Sequence, residues 1–388
     1  MLIDNGTNKF DQTLLILGVH LSSSGYPNVK YRIEEFKRFY PECNEINFPM
    51  WKEKDMGDYK RYSFVRGVVR ALCAHVLVII SLLFSKKNKV VYIPYPSVFI
   101  CFAISLLPSL LKPKRLVIDA FISIYDSVVI DRKLVKPEHV IAKLLKFIER
   151  RAFNIADVVI TDTELNSIYY SDLFGLHISK FENVWLSTDE QCLNNINRSK
   201  KSFEVEVLFV GTLVPLHGID TILEAIDQTA NRDTIHYTIV GDGQNRESLE
   251  SYSEKHPERI TWVKEWQNEE QIAEYISNAD ICLGIFGGGQ KAQRVCPLKL
   301  YLYMSSGKAI ITSDTAWVRS ATAPGSDSPF LIVPAENSIS LANMIVYLAK
   351  NVEKRKQLES SSRDFYCKNM TNERSTRKCI DLLGLTVD

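Results

Sequence analysis

One stretch constrains this chain more than any other: Val205–Ile226, VEVLFVGTLVPLHGIDTILEAI. Val205–Val210 is short, apolar and rich in Val and Phe, which is the composition of a buried strand. Gly211 ends the run and Thr212–Leu216 forms a loop. Ile219, Ile222, Leu223 and Ile226 then recur at the three-and-four spacing of an amphipathic helix. A strand that breaks at glycine and feeds a helix start turns backbone N–H groups and the positive end of the helix dipole outward, which favours an anion. An ordinary βα unit closed by a glycine turn fits the same residues.

The rest of the chain repeats that unit. In the second half Tyr237–Gly241, Ile260–Val263 and Ala279–Leu283 read as strands, with helices running through Glu250 and over Glu269–Ser277. In the first half Thr13–Gly18, Lys89–Pro94, Leu116–Asp119 and Ala156–Thr161 read as strands, with a helix starting near Tyr31 and another over Lys136–Phe153. Asp162 or Thr163 is placed to cap the helix after ADVVIT. Strands alternating with helices at this pitch predict doubly wound parallel α/β sheets, and 388 residues suit two such domains. The polar, aperiodic Glu190–Lys201 reads as a linker. The resulting division is 1–190, a linker over 191–202, a second domain over 203–365, and a helical end over 366–388.

Composition narrows the function classes. A net charge of +1 gives no reason to expect a nucleic-acid partner. The eight cysteines are scattered without a CxxC pair, which suits buried thiols in a reducing cytosol rather than a disulfide frame or a zinc site. The start, MLIDNGTNKFDQ, is polar and acidic and does not read as a signal peptide. Two apolar runs, Ala71–Phe84 and Val98–Leu111, are each 14 residues, short of the roughly 20 that span a bilayer. Both read as helices packed within a domain. Cations flank them: Lys60, Arg61, Arg66, Arg70, Lys86, Lys87 and Lys89 around the first, and Lys112, Lys114 and Arg115 after the second. Such flanks suit peripheral contact with anionic lipid on the inner face of a membrane, or simply solvated helix ends.

Polar groups collect at two loops. Leu116–Asp119 delivers Asp119 to a loop that also holds Ser123, Asp126, Asp131 and Arg132. Carboxylates at the carboxyl end of a parallel strand sit where α/β sheets bind ligands, so Asp119 and Asp126 are candidates for ligand contact or catalysis; helix capping and a surface Asp–Arg pair are the plainer alternative. The second loop, GIFGGGQKAQRVCPLK, brings Lys291, Arg294 and Lys299 next to Gly287-Gly288-Gly289, whose backbone can approach a phosphate closely. A solvated basic loop is the alternative there. Glu265, in the loop after Ile260–Val263, is a further candidate.

Gly211, Gly218 and Ala225, with Pro297, Lys299, Met304, Gly307 and Lys308 before AIIT, resemble the donor domain of GT-B glycosyltransferases of the family-four type. ADVVIT resembles the segment that closes the first domain of such enzymes. The resemblance covers Val205 to about Thr312 and is looser in the first half. It implies two Rossmann-like domains facing a cleft, a first domain that binds the acceptor, and a final helix that returns to it. It also implies hexosyl transfer, with retention, from a nucleoside diphosphate sugar to a glycan or lipid-linked acceptor. The arrangements PLHG and KAQRVCPLK are similar to those of some bacterial surface-polysaccharide enzymes.

This chain departs from the family pattern at charged positions. The Arg and Lys that hold the donor diphosphate are replaced by Thr212 and His217, and the two glutamates by Arg294 and Leu302. Arg294 and Lys299 are therefore expected to take the diphosphate, with Lys291, Gly211, Gly218, Gly287 and Gly288 lining the site and a protonated His217 adding charge. No D-x-D is present, so no metal or other cofactor is expected and the leaving group is neutralised by side chains and the helix dipole. In the family's mechanism the leaving phosphate helps deprotonate the acceptor, which needs no flanking carboxylate pair. Two other readings remain: a binding subunit that has lost turnover, and a sugar-nucleotide epimerase, disfavoured by the scarcity of cleft carboxylates.

Overall fold

Apolar strands buried on both faces must be covered by helices on both sides, and the chain meets that demand twice. The computed structural model describes residues 13–21, 27–50, 64–85, 90–190, 204–229, 234–322 and 328–385. The first domain runs β1 (Leu14–Gly18), α1 (Pro27–Phe39), β2 (Asn44–Asn47), α2 (Phe64–Phe84), β3 (Val90–Ile93), α3 (Val98–Ser105), β4 (Arg115–Asp119), α4 (Val140–Ile155), β5 (Val158–Thr161), α5 (Glu164–Phe174) and β6 (Phe181–Asn183). The second runs β7 (Val205–Val210), α6 (Ile219–Gln228), β8 (Ile235–Val240), α7 (Arg246–Lys255), β9 (Ile260–Val263), α8 (Glu269–Asn278), β10 (Ile281–Leu283), α9 (Gln290–Arg294), α10 (Leu298–Ser305), β11 (Ala309–Ser313), α11 (Ala316–Ala321) and β12 (Leu331–Val333). Three helices follow: α12 (Ser338–Lys350), α13 (Val352–Asn369) and α14 (Asn372–Leu383).

Each sheet has six strands, ordered β2-β1-β3-β4-β5-β6 and β12-β11-β10-β7-β8-β9, and their pairs are parallel. The strands missed by sequence patterning include β2 and β6, short pieces at the sheet edges with little apolar character. α1 begins at Pro27 rather than near Tyr31, because proline is favoured at a helix's first position. Thr163 caps α5, its hydroxyl accepting from the Asn166 N–H.

The apolar run at 71–84 needs correction. It belongs to a 21-residue helix, α2, whose Arg66–Phe84 window is long and apolar enough to cross a membrane. Arg66, Gly67 and Arg70 precede the run and stop it short of the helix start without interrupting the helix. The second run is shorter than it reads, ending as α3 at Ser105, with Pro108 separating it from a 3-10 turn at Ser109–Leu111. The start 1–12, the loop 22–26, the linker 191–203, and Lys60, Arg61, Lys86, Lys87 and Lys89 lie outside the described residues.

Helices α2, α3, α4 and α5 cover one face of the first sheet around Val91, Ile93, Ile118 and Val159. The other face takes α1 and, from the far end of the chain, α14, whose Cys379, Ile380 and Leu383 pack on Leu14, Ile16 and Tyr92. Arg115 secures that return, its guanidinium donating to the Leu382 carbonyl at 2.6 and 2.8 Å. Arg32, buried beneath α14, donates to Cys379 Sγ at 2.8 Å and to the Trp185 carbonyl at 2.6 Å. Ile380 is fully buried in this contact. Ile380→Ala is expected to lower the unfolding free energy by about 2–5 kcal/mol, read as a lower urea midpoint at unchanged slope.

Candidate functional site

In the second sheet β7 lies between β8 and β10, and the strand order reverses there. Ligands of open α/β sheets bind in the crevice beyond the carboxyl ends of such a pair. The loop after β7 carries Gly211, Thr212, a tight turn at Pro215–His217, and Gly218 at the start of α6. The loop after β10 carries Gly287 and Gly288. The two loops interlock. Gly218 has φ +66°, and a Cβ there would sit 2.6 Å from the Gly287 nitrogen; one on Gly287 would sit 2.4 Å from the Pro215 carbonyl oxygen. Their glycines permit backbone to pack on backbone. Gly287 N–H donates to the Leu216 carbonyl at 3.1 Å, and Gly288 N–H to Glu336 Oε1 at 3.1 Å. The expectation that these two N–H groups face a phosphate is therefore corrected, since both are already engaged. Glu336, held at φ +55°, is the partner that sequence reading missed. It follows β12 in an ordinary PAEN turn and no local pattern marks it.

Inside the β7 loop lies Lys299, from the first turn of α10. It is 5% exposed, and its Nζ stands 3.6 Å from the centre of the Phe209 ring. Among the described residues that Nζ has no hydrogen-bond partner. A Cβ on Gly211 would meet Lys299 Nζ at 2.9 Å and the His217 ring at 3.0 Å, so the three residues converge on one point. Burial pushes the Lys299 pKa well below the usual lysine range. His217 is pushed well below the usual histidine range, by burial first and then by Lys299. A protonated His217 is thus corrected to a neutral one. Its Nδ1 contacts the Thr212 carbonyl, an acceptor, which assigns the proton to Nδ1 and leaves the Nε2 lone pair free to accept.

Arg294 and Lys291 point the other way, into the first domain. Arg294 Nη2 donates to Asp126 Oδ1 at 2.7 Å, its Nε donates to Asn166 Oδ1 at 3.1 Å, and its guanidinium lies 3.5 Å from the Tyr169 ring centre. The Arg294 carbonyl accepts from the Thr163 hydroxyl at 2.6 Å. Lys291 Nζ donates to Ser127 Oγ at 2.8 Å and lies 3.6 and 3.7 Å from the carboxylates of Asp126 and Asp131. Burial raises the Asp131 pKa, with Lys291 opposing. The segment that presents these carboxylates, Asp126–Asp131, is a π-helical turn. Glu149 of α4 secures its entry, accepting from Ser123 Oγ and from the N–H groups of Ile124 and Tyr125 at 2.7–2.9 Å. Desolvation pushes Glu149 up to about 7 against those bonds. A second bridge joins Lys30 of α1 to Glu269 of α8 at 3.0 Å.

The residues singled out from sequence therefore divide into three groups. Gly211, His217, Gly218 and Lys299 converge at the β7 crevice, with Thr212 exposed at its mouth. Asp126, Lys291 and Arg294 meet each other as an interdomain latch, so the assignment of Arg294 and Lys291 to a donor phosphate is corrected. Asp119 and Glu265 join neither. Asp119 is buried, accepting from the Tyr92 hydroxyl at 3.2 Å and from the Phe121 N–H, so its expected place facing the cleft is corrected too. Glu265 is exposed beyond the edge strand β9. Among the described residues no group of three His, Cys, Asp or Glu is arranged to hold a metal.

Residues 204–351 match the family model described as Glycosyl transferases group 1. The matched segment spans β7 to α12 and includes both glycine loops and Lys299. No curated protein matches the sequence. Solved structures match over both domains. HepE of Anabaena in complex with UDP aligns at 13% identity and TM-score 0.66, covering 96% of this chain and 100% of that one. Sucrose-phosphate synthase from Thermosynechococcus elongatus aligns at 13% and 0.68, covering 96% and 98%. An E. coli trehalose-6-phosphate structure bound with UDP-2-fluoro glucose aligns at 11% and 0.69, covering 97% and 100%. These similarities give the fold as GT-B, with the group 1 match lying in its second half.

Breaking a buried pair strands a charge, whereas removing both partners does not. Arg294→Ala is expected to lower stability by about 3–5 kcal/mol. Adding Asp126→Ala should recover much of that loss, giving a coupling of about 1 kcal/mol or more in a double-mutant cycle read by thermal unfolding.

Proposed function

We propose that the protein is a glycosyltransferase that moves a hexose from a nucleoside diphosphate to a glycan or lipid-linked acceptor. The observation that carries this reading is Lys299. A buried amine without a hydrogen-bond partner is costly, and a phosphate beside it would return both charge and bonds. It stands at the reversal point of a parallel sheet, inside a group 1 domain, beside the start of α6. The HepE structures hold UDP and UDP-glucose, and this supports a uridine donor as the first to test.

In this reading the diphosphate sits against Lys299 and the positive end of α6, and these disperse the charge that develops on the leaving oxygen. His217, neutral, accepts from a donor hydroxyl through Nε2. The C1–O bond to the phosphate breaks as the acceptor oxygen bonds C1 on the same face, and the acceptor proton passes to the departing phosphate. Configuration is retained and no metal takes part. Asp126 serves structure rather than acid–base chemistry, because Arg294 occupies it. The first domain binds the acceptor, and the protein works at the inner face of the membrane in making a bacterial surface polysaccharide. A second reading, a shell that binds donor without turnover, is favoured by the commitment of Arg294 to the latch and by Leu302 in place of a glutamate.

Calorimetric titration with UDP and UDP-glucose tests the site. Lys299→Met is expected to weaken binding by about 1.5–3 kcal/mol, roughly 10- to 150-fold. The free-state pKa of Lys299 is depressed and an anion raises it, so above the free-state value binding takes up a proton and weakens as pH rises to the bound-state value. Unchanged affinity in Lys299→Met, with no proton uptake across buffers of different ionisation enthalpy, overturns the assignment. UDP release that persists in EDTA supports transfer without metal; donor binding without UDP release supports the binding-only shell.

A further inference from the structure

The outer surface of the α2–α3–α4 layer is apolar where a solvated helix layer is normally polar. α2 packs Ala74, Val78 and Leu82 against the first sheet, yet its opposite side is apolar as well. Leu72 is 62% exposed and Phe84 89%. The same surface continues over α3 and the turn after it, where Leu110 is 88% exposed, and onto α4 through Val140, Leu144 and Phe147. Ring contacts knit the three elements side by side: His75 of α2 meets Phe99 of α3 at 6.0 Å, and Phe102 of α3 meets Phe147 of α4 at 6.3 Å. Contiguous apolar surface of this extent marks a docking site.

The charge around it names the occupant. No Asp or Glu occurs between Asp58 and Asp119, a span that includes all of α2 and α3. From Arg132 to Arg151 the exposed charges are cationic, among them Lys136, Lys143 and Arg150, with Glu138 the single exposed acid. An apolar sheet of helices rimmed by cations matches the acyl boundary and headgroups of an anionic bilayer. It does not match an aqueous surface, and a self-complementary dimer would place those cations against each other. We infer that the outer face of α2, α3 and α4 is a bilayer seat, on which the first domain lies with these helices in the interface plane. Although α2 is long enough to span, its Ala74, Val78 and Leu82 belong to the domain core, so it lies along the membrane rather than across it. The chain passes from the Asp126–Asp131 turn of the interdomain latch, through residues 132–139, into α4 of this face. The inference rests on the peripheral placement proposed above and gives it an address.

Co-sedimentation of the full chain with vesicles tests it. The protein is expected to pellet with 1:1 phosphatidylglycerol–phosphatidylcholine vesicles, at least tenfold less with phosphatidylcholine alone, and to detach in high salt. Leu72→Glu, Leu110→Glu and Leu144→Glu together, one per element, should cut partitioning at least tenfold while the thermal midpoint is kept. Lys143→Glu with Arg150→Glu provides an independent check on binding to the anionic vesicles alone. Wild-type protein that stays in the supernatant at low salt, or apolar and charge variants that both pellet like wild type, overturns the inference. So does a solution dimer that the triple variant turns into a monomer, since a second copy would then cover the face. UDP affinity in the same preparations reports on the donor site alone, so either proposal can fail without the other.

Discussion

A charged group withdrawn from water needs a partner, and two basic residues of the second domain face that requirement in opposite ways. Arg294 leaves its own domain and saturates itself on Asp126, Asn166 and the Tyr169 ring of the other. Lys299, five residues further on, stays home under Phe209 and has no hydrogen-bond partner among the described residues. The first arrangement is stable as it stands, because guanidinium geometry meets a carboxylate and an amide at once. The second is costly as a cation, and burial pushes its pKa well below the usual lysine range. The two basic side chains differ through this contrast: one holds the halves together, the other has no hydrogen-bond partner among the described residues.

The latch has consequences for the rest of the fold. It ties the loop after β10 to the π-helical turn after β4, and Glu149 keeps that turn in place with three accepted bonds. Lys30 and Glu269 add a second bridge between the domains, and α14 closes the chain back onto the first sheet. The carboxyl ends of both sheets thus face the same cleft.

Much of this architecture was legible in the sequence because parallel strands advertise themselves. β7, β8 and β4 are short buried runs that lead into glycine or end on aspartate, and α6 repeats its apolar stripe at helical spacing. The edge strands β2 and β6 lack that signature, so pattern alone passed over them. The length of α2 was hidden for a related reason: charged residues break an apolar run but are at home in a helix. The site was only partly readable. Gly211, His217, Gly218 and Lys299 were found from the strand–glycine–helix motif and the basic loop. The reach of Arg294 and Lys291 toward Asp126 and Asp131, separated by more than a hundred and fifty positions in the chain, leaves no local trace. Nor does Glu336 at the Gly288 N–H, because an exposed turn glutamate has no pattern of its own.

A crystal structure of the full chain with UDP-glucose tests the central claim most directly. The expected result is a diphosphate oxygen within about 3 Å of Lys299 Nζ, beside Gly211 and the start of α6, with Arg294 still bound to Asp126. A diphosphate seated on Arg294, with the Asp126 pair broken and Lys299 untouched, would contradict it.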